Sequence, residues 1–178
     1  MVFRLLVSLT IKPQNLLNMS IALFPGSFDP ITKAHVDILN RALPLFSKVY
    51  VSVGLNSNKT ALLSANVRLE MLNKVFAHQP KIVVTCYEGL TVEYCKKINA
   101  THMIRGIRTV SDFEYEKAIA QMNHALEPEI ESIFIVSKPG YSSISSTIVR
   151  EILRYNGSVS QFVPAEVLPF LNSNYPVN

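Results

Sequence analysis

The chain has 178 residues, 48% of them hydrophobic and 17% charged, with a net charge of +4. Domains usually run about 100 to 200 residues, so this is one domain with a sizeable core, too apolar for a disordered tail. No apolar run reaches the 18 or so residues of a membrane helix, and the mild charge, without basic runs interleaved with aromatics, argues against a nucleic-acid partner. Cys86 and Cys95 have no His or Cys neighbour at metal spacing, so they read as reduced core thiols of a cytosolic chain.

Residues 1–18 lack the long apolar region and small-residue cleavage site of a secretory signal. They read as an extension, or an upstream start, ahead of a domain over residues 19–173, with 174–178 as a tail. Ile21–Phe24 is a buried strand that Pro25-Gly26 stops. Val36, Ile38, Leu39, Ala42 and Leu43 then repeat with helical spacing. Lys48–Leu55 is β-branched and predicts a second strand. Asn56–Thr60 is polar loop, and Ser64 caps a helix through Ala77 with Val67, Met71, Leu72 and Val75 on one face. Ile82–Cys86 is a strand, Thr91–Ile98 a helix, and His102–Arg105 a strand. Ser111 and Glu114 form a capping box opening a helix to Leu126. Ser132–Val136 is the fifth strand, and Ser146–Tyr155 is a helix closed by Gly157 at the residue after its cap. Val163-Pro164 starts a last short helix.

Five strands, each followed by a helix, predict a single Rossmann-like α/β domain: a five-stranded, mostly parallel sheet with helices on both faces. Ligands of such sheets sit beyond the carboxyl ends of the strands. Four loops there carry chemistry. In Phe24-Pro25-Gly26-Ser27-Phe28-Asp29-Pro30-Ile31-Thr32-Lys33-Ala34-His35, Gly26 permits close approach, Ser27 offers a hydroxyl, and His35 falls in a helix's first turn, where anions bind. A capped turn with a surface histidine would look the same. The loop is not a Walker A, since the Gly-Lys-Ser/Thr ending is missing. Lys59 follows the second strand and, alone, is a solvated charge. Arg105-Gly106-Ile107-Arg108 places two arginines at the ligand end of the fourth strand, for phosphate binding or for salt bridges to Asp112 or Glu116. Tyr141-Ser142-Ser143-Ile144-Ser145-Ser146-Thr147, with Arg150 one turn on, is a hydroxyl-rich helix start suited to phosphate oxygens. No Ser-His-Asp order or carboxylate pair competes for this edge, so hydrolase templates fit poorly.

From Ile21 to about Leu171 the sequence resembles the bacterial phosphopantetheine adenylyltransferase family, within the nucleotidyltransferase superfamily marked by a T/H-x-G-H signature. The superfamily motifs are Pro25-Gly26-Ser27-Phe28-Asp29-Pro30 with His35, and Ile144-Ser145-Ser146-Thr147 with Arg150. The family-specific ones are Arg105-Gly106-Ile107-Arg108 and Asp112-Phe113-Glu114-Tyr115-Glu116. Two positions depart from the pattern: Ala34 replaces the signature glycine, and Ser27 the usual threonine.

The resemblance implies adenylyl transfer from ATP to 4′-phosphopantetheine, giving dephospho-coenzyme A and pyrophosphate with Mg²⁺. A sister transferase acting on nicotinamide mononucleotide, or a non-catalytic nucleotide-binding module, is the alternative. By resemblance His35 is catalytic, and Ser27, Lys59, Thr91 and Arg105 bind phosphopantetheine. ATP falls to Ser27, Phe28, His35, Gly106, Ile107, Arg108, Glu116, Tyr141, Ser142, Ser143, Ile144, Ser145, Ser146 and Thr147. No metal ligand is assigned. The resemblance further implies a cytoplasmic homohexamer inhibited by coenzyme A, with neither nucleic acid nor membrane as partner.

Overall fold

A computed structural model describes residues 20–55 and 61–174. The expected extension, Lys59 and the tail beyond 174 lie outside the described residues. The strands are β1 (Ile21–Gly26), β2 (Lys48–Gly54), β3 (Ile82–Tyr87), β4 (His102–Ile107) and β5 (Glu131–Val136). The helices are α1 (Lys33–Ala42), α2 (Ala65–Val75), α3 (Thr91–Lys97), α4 (Val110–Leu126), α5 (Ser146–Arg154) and α6 (Leu168–Asn174). All strand pairs are parallel, in the order β3-β2-β1-β4-β5. This is the expected α/β architecture.

Side chains of β1 alternate between two cores, which places helices on both faces of the sheet. Ala22 and Phe24 join Ile38 and Leu39 of α1, Met71 and Leu72 of α2, and Val149 and Leu153 of α5. Leu23 points the other way, with Met103 of β4 and Val92 and Cys95 of α3; Cys86, expected in the core as well, is exposed on the edge strand β3. The central strands β1 and β2 are buried nearly throughout, as strands covered on both faces must be. Helix α4 is the exception to this burial: none of its residues is fully buried, and it leans on β5 through an edge-to-face contact of Phe113 with Phe134.

Two features open the site. Strand β1 stays paired with β2 as far as Gly26 but with β4 only at Ala22 and Leu23. Beyond Leu23 β1 and β4 part, leaving a crevice where the strand order switches. Pro25 therefore does not stop the strand, contrary to the sequence expectation. Its carbonyl faces β4 and accepts from Arg105 Nη1 at 3.3 Å, and the N–H that proline lacks has no strand to pair with there.

Three helix ends differ from the sequence reading. Thr109, rather than Ser111, caps α4, accepting from the Asp112 N–H at 3.1 Å. At the end of α5 the left-handed residue is Asn156 (φ 56), and Gly157 comes one later. The Gly157 N–H reaches the Ile152 carbonyl at 2.9 Å and the Asn156 N–H reaches Leu153 at 3.0 Å, a Schellman motif. Glycine is needed at 157 for space, because a Cβ there would lie 2.6 Å from Ile152 Cγ2. Pro164 precedes a 3₁₀ turn, Ala165–Val167, that leads into α6.

Candidate active site

A cavity of about 450 Å³ occupies the crevice at the carboxyl ends of the strands. Of the residues the sequence singled out, it gathers Ser27, His35, Arg105, Gly106, Arg108, Glu116, Ile144, Ser145, Ser146 and Thr147. Phe28, Thr91, Ile107, Tyr141, Ser142 and Ser143 do not line it, and Lys59 is outside the described residues. Phe28 lies behind the wall, 1% exposed, its ring packed over Gly26 so closely that a Cβ there would meet it at 2.9 Å. Thr91 opens α3, with its hydroxyl 2.9 Å from that of Tyr87.

His35 is held by the first turn of its own helix. The Thr32 N–H donates to His35 Nδ1 at 3.1 Å, and the Thr32 hydroxyl lies 2.8 Å from the same nitrogen. This is a capping box with histidine in the place of the usual glutamate. Nδ1 is thereby an acceptor, so the ring proton sits on Nε2. The rings of Phe28 and Phe24 flank the imidazole at 5.5 and 6.4 Å. Burial, and secondarily the Arg108 charge, lower the His35 pKa to about 4. At neutral pH the ring is an uncharged donor.

The arginines of the third loop form ion pairs as well as lining the cavity. Arg105 Nε and Nη2 grip the Glu116 carboxylate at 2.6 and 2.5 Å, a bidentate pair. Arg108 pairs with Asp112, Nε to Oδ2 at 2.9 Å. The hydroxyls of the fourth loop are partly committed too. Ser145 caps α5 through the Ile148 N–H at 3.1 Å, Ser146 donates to the Pro30 carbonyl at 2.8 Å, and Ser142 to Pro139 at 3.0 Å. Thr147 Oγ1 accepts from Arg150 at 3.1 Å. What faces the cavity is the start of α5 itself, meeting the start of α1 across it. Two helix N-termini and four arginines give this cavity the chemistry to receive phosphoryl groups.

Three further residues line the cavity: Asp29 and Arg150, which fall in the sequence motifs without an assigned role, and Arg68, which the sequence reading missed. Asp29, 4% exposed, accepts the Leu62 and Leu63 N–H groups at 2.7 and 2.9 Å and so ties the approach to α2 to the first loop. Arg150 donates to the Asp29 carbonyl at 2.7 Å. Arg68 reaches in from α2 and donates to the Ser27 carbonyl at 2.8 Å.

Ala34 lines the cavity in the first turn of α1, 6% exposed. No positive φ is recorded there, so the methyl group costs no strain. Ala34→Gly is expected to destabilise the fold by about 1 kcal/mol or less, because glycine frees the unfolded chain. Affinity for a ligand in the cavity should move less than about threefold, since one methyl contact contributes about 1 kcal/mol at most. A tenfold gain in that affinity would mean that the methyl obstructs the site.

Residues 23–152 match the cytidylyltransferase-like family, which makes the chain a nucleotidyltransferase. A bifunctional NMN adenylyltransferase/ADP ribose pyrophosphatase from Francisella tularensis shares the fold, with a TM-score of 0.69 at 15% identity. The match covers 87% of this chain and 49% of that longer one, and the likeness is one of fold alone. Phosphopantetheine adenylyltransferase from Leptospira biflexa serovar Patoc is 50% identical over 145 residues, 82% of this chain and 91% of that one. Those from Caldanaerobacter subterraneus subsp. tengcongensis and Lachnoclostridium phytofermentans are 46% and 40% identical, over 82% and 88% of this chain and 91% and 96% of theirs. The chain belongs to the phosphopantetheine adenylyltransferase family.

Proposed function

We propose that the chain transfers the adenylyl group of ATP to 4′-phosphopantetheine, releasing pyrophosphate and forming dephospho-coenzyme A. The observation that carries this reading is the convergence of His35, Arg105, Arg108 and the start of α5 on one cavity. The nucleophile is a phosphate oxygen of phosphopantetheine, already anionic at neutral pH, so no general base is required. It attacks the α-phosphorus of ATP, and the bond to the bridging oxygen breaks, the electrons leaving with pyrophosphate. Positioning and charge stabilisation therefore supply the catalysis. His35 donates from Nε2 to the phosphoryl oxygens as charge builds. Arg105, with Lys59 and Ser27, receives the incoming phosphate, and Thr91 the pantetheine arm. Gly106, Arg108, Glu116 and the 141–147 segment hold ATP.

The described residues build no cage for magnesium. No group of three His, Cys, Asp or Glu side chains comes together among them, and the cavity carboxylates Asp29 and Glu116 are taken by backbone N–H groups and by Arg105. In this reading Mg²⁺ belongs to the ATP phosphates and their waters, while the protein acts on the phosphates directly. Mixing the protein with ATP, Mg²⁺ and phosphopantetheine should release pyrophosphate. Release with nicotinamide mononucleotide instead, or with neither acceptor, would overturn the assignment.

The reading extends to a cytoplasmic homohexamer restrained by coenzyme A. No described helix is long and apolar enough to cross a membrane. Val110, Tyr115, Met122 and Leu126 project from α4 with 54–78% exposure, an apolar surface suited to contact between copies. Light scattering should give six times the 19.9 kDa chain mass, and added coenzyme A should slow the assay.

A further inference from the structure

Arg68 is 7% exposed, lines the cavity, and has no carboxylate partner among the described residues. The other three cavity arginines each have one: Arg105 has Glu116, Arg108 has Asp112, and Arg150 has Asp29 at 4.0 Å. Arg68 Nη1 donates to the Ser27 carbonyl at 2.8 Å, while its Nε is buried with no hydrogen-bond partner. A buried guanidinium held by one neutral carbonyl is a costly arrangement, because charge taken out of water needs an opposite charge and a full set of acceptors.

Its place in α2 sharpens the point. Arg68 precedes Met71, Leu72 and Val75 by three, four and seven residues, so it lies on the stripe of the helix that faces the core. A leucine or methionine would fill that position without the desolvation cost. A side chain that only propped up the Ser27 turn would need no permanent charge. An anion arriving beside Ser27 supplies what the guanidinium lacks: negative charge, and oxygens able to take a forked pair of N–H donors.

We propose that Arg68 is a phosphate-binding residue of the site, its unpaired guanidinium taking a phosphoryl oxygen beside Ser27. This rests on the transferase reading of the cavity, and it adds a residue that the sequence motifs do not contain. The oxygen belongs either to the polyphosphate of ATP or to the phosphate of phosphopantetheine. The two sources are separable, because each can be offered alone.

The test measures binding to the full chain by calorimetry, with inorganic pyrophosphate in one arm and 4′-phosphopantetheine in the other. Arg68→Met should melt within about 2 °C of the wild type without ligand, since the apolar isostere removes a buried charge. It should bind one of the two ligands at least tenfold more weakly, the scale of a lost charged hydrogen bond, and the arm affected identifies the oxygen. Arg68→Lys keeps the charge without the fork and should weaken the same arm by at least about threefold. It decides the matter if Arg68→Met does not fold. Wild-type affinity in both arms, for whichever variant folds, would overturn the proposal and leave Arg68 a structural strut. These readouts need no turnover, so a wild type that binds these ligands in an Arg68-dependent way yet releases no pyrophosphate would count against the transferase reading alone.

Discussion

Replacing His35 by alanine should lower kcat by roughly 10²-fold or more and leave the KM for ATP within about threefold. In the proposed mechanism the effect falls on turnover, because the ring is prepared for the transition state rather than for either substrate. Thr32 fixes Nδ1 as an acceptor through contacts of 3.1 and 2.8 Å, and Phe24 and Phe28 restrict how the ring can tilt. A neutral donor already aimed need not reorganise as charge moves onto the phosphoryl oxygens. Thr32 is then a positioning residue. Thr32→Val should cost about tenfold in kcat with little change in either KM, and Thr32→Ser should restore most of the loss. Arg105→Ala should behave differently, raising the KM for phosphopantetheine. Near-normal turnover in the His35→Ala protein would sink the assignment.

The alternation of strand and helix was legible because hydrophobic period and turn residues agree along the chain. What escaped was decided mostly by contacts distant in sequence. Pro25 reads as a strand stop, yet β1 runs through it, because β4 has already diverged and Arg105, 80 residues on, caps the carbonyl. Gly157 reads as the left-handed cap, while Asn156 takes that conformation and glycine serves the tight contact with Ile152. In the 141–147 segment the sequence shows a row of hydroxyls but not which are committed. Pro30, brought near by the fold, claims Ser146. The two arginines of the third loop allowed phosphate binding or salt bridges, and the structure shows both pairs formed beside the cavity they line. Arg68 did leave a trace, a charge at an apolar-stripe position of α2. Long basic side chains often reach water from such positions, so only its burial reveals that this one does not.

Acid should weaken the fold through the same imidazole that is proposed to serve the site. Burial, with a smaller contribution from Arg108, lowers the His35 pKa from 6.5 to about 4 in the folded protein. Between those values the unfolded chain binds a proton that the native ring refuses, so stability falls as pH drops from about 6.5 to 4. Above 6.5 the ring is neutral in both states and costs nothing. Below 4 it is protonated in both, and the loss is complete. A tenfold difference in proton affinity between the two states is worth about 1.4 kcal/mol, which makes the full loss on the order of 3 kcal/mol. His102 is also lowered by burial, against a weaker opposing effect of Glu131, and adds to the same acid limb. Comparison with His35→Gln removes that contribution, because His102 is common to both proteins. Glutamine suits the substitution, since its side-chain oxygen can accept the Thr32 N–H and keep the capping box without titrating. Urea unfolding at pH 7 and at pH 4 should show the wild type losing about 2 to 3 kcal/mol more than the variant. Equal losses would mean that His35 takes up its proton in the folded state as readily as in the unfolded one. The neutral, Nε2-protonated donor assigned to catalysis would then have to be given up.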